Sequence, residues 1–325
     1  MFPVVTSHYA TSILTLLDKH GIDTQSIILE TGLPTTLCQH GSSFLPLSTV
    51  EKLITETFSC KGLKGGSDII QMVVRNHIVP NLLQDAPLGL TVGESLQWAL
   101  NNIKIQIPDA DVRLQSTSHG VYFHRVRPVI NTDTFMWTEV FTLWVMIELM
   151  RETLGNRHWH PSVARIQSNN DTHIYHCFDT SIQFYHSQPS SGLWFPLELL
   201  DQPSRSNANQ QWQANKLENE ISGGSISQIF SALRPYVLEL DFSLDRAADI
   251  ANIKKRTLQR RLYQHGLTFR GLRDNLIADI ALEQLQNGSS VSHVAMNLGY
   301  ASISQFSRAF KRITGIAPSK VTSAY

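Results

Sequence analysis

Two clusters of polar and basic residues have the types and spacing to do recognition chemistry. In Leu244 to Leu262 (LDRAADIANIKKRTLQRRL), Lys254, Lys255, Arg256, Gln259, Arg260 and Arg261 stud a predicted helix whose apolar face is Leu258 and Leu262. Arg256, Gln259 and Arg260 lie opposite that face. Arg fits the O6 and N7 edge of guanine and Gln the N6 and N7 edge of adenine, so these three carry base-reading chemistry. Lys254, Lys255 and Arg261 suit phosphate oxygens. Further on, Ser304, Gln305 and Arg308 share a second predicted helix, and Ile303 beside them has the methyl surface to meet thymine. One basic run alone reads as a solvated helix face; two in matching local settings point to DNA.

The elements that must position these side chains repeat. Ala247, Ala248 and Ile250 predict a short helix, and Asn252 follows at a turn, being one of the few residues besides Gly that tolerates a left-handed backbone. Val291, Val294, Ala295 and Leu298 recur at helical spacing and stop at Gly299; Ser302 is a candidate N-cap, and Phe306, Ala309, Phe310 and Ile313 fall on one face of the helix after it. Leu258-x-Arg260-x-Leu262 and Phe306-x-Arg308-x-Phe310 align at an offset of 48 residues. Between the two units, Thr268 to Gln286 predicts a helix with Phe269, Leu272, Leu276, Ile280 and Leu285 on one face and Asn287-Gly288 as its stop. At about 1.5 Å per residue it would span roughly 28 Å. Successive major grooves on one face of DNA lie about 34 Å apart, so such a spacer could present two helices to adjacent grooves.

Leu244 to Pro318 resembles the DNA-binding domain of the AraC/XylS family of bacterial transcription regulators. The resemblance is carried by Thr257-Leu258-Gln259-Arg260-Arg261-Leu262, Gly266-x-x-Phe269, Val294-Ala295-x-x-Leu298-Gly299-Tyr300, Ser304-x-Phe306-Ser307-Arg308-Ala309-Phe310-Lys311 and Gly315-x-x-Pro318-Ser319. Two departures from the family pattern occur: Ile277 stands where Arg is usual, and Val321-Thr322 where an aromatic and then Arg are usual. The resemblance implies promoter DNA, RNA polymerase and a second copy of the chain as partners, and activation more often than repression. Asp201-Gln202-Pro203 after Trp194-Phe195-Pro196-Leu197, with the order of predicted elements before them, is similar to the OruR-like (arabinose-binding-type) N-terminal domain of one branch of that family.

Charge is distributed accordingly. The 325 residues are 42% hydrophobic and 17% charged, enough for about two buried cores, and the 27 basic residues balance 27 acidic ones. Gly223 to Tyr325 holds 13 Lys and Arg against 7 Asp and Glu, leaving 14 against 20 in Met1 to Ser222. A basic final third behind a mildly acidic remainder suits a DNA-binding module joined to a sensing module. Cys38, Cys60 and Cys177, odd in number and widely separated, argue for a reducing compartment. MFPVVTSHYA lacks the basic and apolar regions of a signal peptide, and Phe135 to Met150 is too short and too interrupted to span a bilayer. A cytoplasmic protein with no membrane partner is the expectation.

Ahead of the basic third, helices are predicted at Thr11 to His20, Ser26 to Thr31 and Ser48 to Phe58, the last with a Ser48-x-x-Glu51 capping box. Others are predicted at Thr91 to Asn102 and Phe135 to Gly155. Val112 to Ser116 and Val121 to Val126 alternate like a hairpin, with shorter strands at Ser162 to Gln167 and Gln183 to His186. Long helices are expected to outnumber strands. Lys61 to Ser67 (KGLKGGS) looks like a phosphate loop but lacks the full motif. His158-Trp159-His160 and His173-x-x-His176 have no acidic partner near in sequence, so no metal site is expected. No Gly-x-Ser-x-Gly occurs, so neither catalytic residues nor a cofactor is expected. Arg125 and Arg127 flank Val126, project to one face of a strand, and are the candidate ligand-binding residues for an anionic effector.

The sequence therefore predicts an α+β N-terminal regulatory domain (1–201) for ligand sensing or dimerisation and a polar linker (202–222). An all-α domain (223–325) with two helix-turn-helix units joined by a long linker helix completes the chain. The expected function is sequence-specific transcription regulation under a small-molecule effector. A ligand-independent dimeric regulator and an enzyme tethered to a DNA-binding tail are the alternatives.

Overall fold

In this computed structural model, residues 3–35, 37, 44–118, 120–128, 133–169, 172–206, 225–239 and 241–321 are described below. The chain divides into two compact units, Pro3–Asn219 and Glu220–Tyr325. Most of the expected polar linker, residues 207–222, lies outside the described residues. Residues 202–206 belong to the first unit: the Ser204 amide donates to the Leu90 carbonyl and the Arg205 amide to that of Thr153, both at 2.8 Å.

The first unit mixes helices and strands. Its helices are α1 (His8–Lys19), α2 (Thr24–Thr31), α3 (Leu47–Val73), α4 (Val79–Leu82), α5 (Val92–Gln106) and α6 (Asp133–Leu154). Its strands are β1 (Val4–Thr6), β2 (Phe44–Pro46), β3 (Asp111–Thr117), β4 (Gly120–Val126), β5 (Val163–Arg165), β6 (Gln183–Tyr185) and β7 (Ser191–Phe195). β1 and β2 pair antiparallel, and the other five form a mixed sheet in the order β3-β4-β7-β5-β6. Among the described residues of this unit the α-helices, six, do not outnumber the strands, seven. β1, β2, β5 and β6 have three residues each, too few for a period-two alternation to show in sequence.

Helix α6 is the axis of this unit. Residues 135–150 are buried on every side, with α3 and β7 among its main neighbours. The polar residues inside it are partnered. Thr138 and Thr142 donate to carbonyls one turn back, and Glu139 accepts from the amides of Gln167 and Ser168 and from the Ser191 hydroxyl.

Helix α3 corrects two expectations. It starts at Leu47 with Pro46 at its N-cap, so no Ser48–Glu51 capping box forms; Glu51 pairs instead with Arg127 at 2.5 Å. It also runs through Lys61 to Ser67, past the expected end at Phe58. Gly66 lies so close to Phe58 that a Cβ would sit 2.8 Å from the Phe58 Cα, and Ser67 links the Trp144 indole to the Cys177 carbonyl. This glycine serves close packing. A π-helical turn, Val74–Ile78, follows α3, and a capping box forms at the start of α5 between Thr91 and Glu94.

The second unit is all helical in its described residues: α7 (Ser225–Leu233), α8 (Leu244–Ile250), α9 (Lys255–Gln264), α10 (Phe269–Gln286), α11 (Val291–Asn297), α12 (Ile303–Thr314) and α13 (Pro318–Val321). α8 packs on α9 and α11 on α12, while α10 contacts α9 as well as α11, α12 and α13. Ala281 and Leu285 of α10 share one core with Val294, Ala295, Phe306, Phe310 and Val321. Ile280, expected on the buried stripe, is only half-buried; Ala278 and Ala281 are buried in its stead, because α10 is contacted from more than one side.

Candidate nucleic-acid interface

Caps and turns fix the two helix pairs. Ser243, Thr268, Ser290 and Ser302 each accept a hydrogen bond from the amide three residues on, at the starts of α8, α10, α11 and α12. Asn252 takes φ 49° in the turn between α8 and α9, and Gly299 takes φ 73° between α11 and α12. The starts of α8 and α11 are offset by 47 residues, 244 to 291, whereas those of α9 and α12 are offset by 48, 255 to 303. The second turn is one residue longer.

On α9, Leu258 and Leu262 are buried and set the inward direction. With about 100° per residue, Arg256, Arg260 and Tyr263 point outward and Gln259 stands beside them. All four are exposed, and with Lys254 they line an open cleft of about 660 Å3. Two expected contacts stand apart. Lys255 lies nearer the buried side and pairs with Asp245 at 2.8 Å; Arg261 is half-buried, with its Nη1 enclosed and unbonded among the described residues. Tyr263, 82% exposed, is a member of this face that residue-type reasoning passed over. Its spacing of four from Gln259 and three from Arg260 was the available signal.

On α12, Phe306 and Phe310 point inward, so Ser304, Arg308 and Lys311 share the outer face. Arg308 Nε donates to the Ser304 carbonyl at 3.3 Å, which curls the side chain back along the helix. Gln305 is exposed at the flank; Ile303, 47% exposed, lies toward the buried side. Lys311 was not among the expected residues, although it follows Arg308 by three on the same face. Arg312 is held by Asp274 of α10 at 2.9 Å, fixing α12 against the spacer.

In the first unit, Arg125 and Arg127 both turn toward α6 but have different settings. Arg127 pairs with Glu51, lies 3.5 Å from the Thr138 hydroxyl and stacks over Phe135. Arg125 donates to the Thr142 hydroxyl at 2.6 Å and has no ion pair among the described residues. Burial, then repulsion from Arg127, lowers its pKa to about 10, with Glu51 and Glu139 acting in the opposite sense. The candidate histidines do not converge: among the described residues no three His, Cys, Asp or Glu side chains are placed to hold a metal. No helix of the described residues is long and apolar enough to cross a membrane.

This paired-helix unit with its exposed basic faces is a helix-turn-helix domain. Residues 247–324 match the family described as "Helix-turn-helix domain". The domain is of AraC type. An uncharacterised HTH-type transcriptional regulator of Mycobacterium tuberculosis is 46% identical over 111 residues, 33% of this chain and 30% of that protein. The HTH-type transcriptional regulator RipA of Corynebacterium diphtheriae is 38% identical over 77 residues, 23% of each. The chain thus spans under a third of the length of these relatives. The transcriptional regulator CdpR of Pseudomonas aeruginosa aligns over 97% of both chains at 18% identity, but its TM-score of 0.36 is too low to carry an argument.

Proposed function

We propose that this protein is a transcription regulator that binds promoter DNA through two helix-turn-helix units, α8–α9 and α11–α12, spaced by α10. The observation that carries the reading is the outward face of α9, where Arg256, Gln259 and Arg260 stand exposed and, among the described residues, unpaired beside Tyr263 inside a domain of recognised helix-turn-helix type. Arg and Gln on that face have the donors and acceptors for base edges, and Ser304 and Arg308 would give α12 a smaller version of the same chemistry. α10, at 18 residues, is about 27 Å long and suits helices entering adjacent grooves. The first unit would act as the sensor, shifting a two-state equilibrium by binding an effector more tightly in one state. A cavity in that unit with Arg125 in its wall favours the effector-controlled form over a ligand-independent one. Activation would add contacts to RNA polymerase, and a homodimer would double the site. The test is a footprint of the full chain on genomic fragments selected by binding: protection of about two helical turns per chain is expected, with affinity falling steeply with salt. Equal affinity for selected and random DNA would overturn sequence-specific regulation.

A further inference from the structure

The cavity beside Arg125 has a composition that names its ligand. It is lined by Tyr9, Ile107, Val112, Phe123, Phe141 and Met146, among others, with Arg125 and Thr142 as the polar members besides Tyr9. The wall is apolar and the charge in it is single and positive. Arg125 spends one hydrogen bond on Thr142, although a guanidinium has five N–H donors in a planar fork. Of the carboxylates whose charge acts on Arg125, Glu51 is in contact with Arg127, and Glu139 is occupied by Gln167, Ser168 and Ser191. The Tyr9 hydroxyl lines the same cavity and has no hydrogen-bond partner among the described residues; burial raises its pKa, so it remains a donor. A half-buried cation with no contacting carboxylate among the described residues is costly, and a carboxylate brought by a ligand would relieve it with two parallel N–H···O bonds.

We propose that this cavity binds a short-chain apolar monocarboxylate, its carboxylate forked by Arg125 and reached by Tyr9 and its chain lying along Ile107, Phe123, Phe141 and Met146. The size follows from the space. The cavity measures about 60 Å3, against about 10–15 Å3 for each water-sized occupant, so roughly four to six heavy atoms fit before side chains must move. A dicarboxylate or a sugar would place a second polar group against aliphatic carbon and lose affinity by it. The assignment deepens the sensor reading above by giving the effector a chemical class, and it separates the two arginines: Arg125 is the ligand contact, whereas Arg127 is neutralised by Glu51.

Calorimetric titration of the full chain with sodium acetate, propionate and butyrate tests this without DNA present, so it stands apart from any failure of regulation. At least one of these acids should bind, while 1-butanol and butylamine should bind at least tenfold more weakly. Arg125→Met should abolish acid binding. Because that variant also loses the Thr142 bond, Ala110→Leu supplies a second check: it narrows the same wall, keeps the arginine, and should weaken butyrate at least tenfold. Alcohol and acid binding alike, an Ala110→Leu protein with unchanged acid binding, or no binding by any of the three acids would overturn the proposal. Acid binding that leaves DNA affinity unaltered would keep this site and remove the sensor role.

Discussion

The arginines of the two units face opposite circumstances. In the first unit Arg75 and Arg151 converge on Glu148, a carboxylate 1% exposed, at 2.9 and 2.7 Å, and Gln71 donates to it as well. Burial opposes ionisation of Glu148, but the hydrogen bonds from Arg75, Gln71 and Arg151 outweigh it and hold the carboxyl below the usual range. In the second unit Arg256 and Arg260 stand in solvent with no partner among the described residues. The same side chain is structural where its charge is cancelled and available for recognition where it is not. Position along the chain, not residue type, decides which.

Moving the exposed set should have the largest effect. One residue inserted after Asn275 in α10 would turn the two outer faces apart by about 100°. The footprint should shrink from about two helical turns to one, and affinity should fall about a hundredfold, near 3 kcal/mol, with the melting temperature changed far less. A full-length footprint from the insertion protein would show that α10 is no rigid spacer.

Cancelling the buried set should cost stability and leave DNA contacts intact. Glu148→Ala strands Arg75 and Arg151 and should destabilise the first unit by about 3 kcal/mol, read by urea unfolding. Because the Glu148 pKa is depressed on folding, its contribution is present above the ordinary carboxylate range and lost as pH falls through the folded value, so the variant should show a flatter acid limb. A Glu148→Ala protein as stable as the parent would erase the contrast between the units.

Arg260→Ala should reverse that outcome. We expect a loss of about 1–3 kcal/mol on the selected site, relaxed preference at one base pair, and unchanged stability. Equal losses on selected and random DNA would reassign Arg260 to phosphate. Ser290→Ala, which removes the cap of α11, should cost about 1 kcal/mol of folding stability in thermal melts, with binding reduced only as far as α12 loses its support. Lys255, already paired with Asp245, should matter least. Lys255→Ala should lower affinity for all sequences alike and flatten the salt slope by about one unit, and a preference for one sequence class would show that it reads bases.

Much of the second unit was legible because its elements are marked locally. Thr268, Ser302, Asn252 and Gly299 punctuate the chain, and the apolar pairs Leu258–Leu262 and Phe306–Phe310 orient two helices without help from distant residues. Tyr263 and Lys311 share the outer faces by helix angle, a signal that residue type alone does not carry. The first unit was less legible for a physical reason: α6 is buried all round, so its sequence has no polar face to fix an orientation. Nor can alternation around Val126 say that Arg127 meets Glu51 and Arg125 meets a cavity, because those neighbours come from α3 and α6. The helix through Lys61 to Ser67 was obscured by three glycines whose use, at Gly66 at least, is contact with Phe58.

The extra residue in the second turn bears on how far the two helix pairs are interchangeable cassettes. Four residues, 251–254, join α8 to α9, and five, 298–302, join α11 to α12. A chimera that grafts α9 onto the α11 scaffold with its parent connector of four would seat the transplanted helix one residue early, swinging its lateral aspect by about 100°. Arg260 would then lie on the flank of the helix instead of its outer face, and Leu258 would be turned part-way out of the core. Engineered exchange of specificity between the halves therefore has to move side chains alone, leaving each connector where it is.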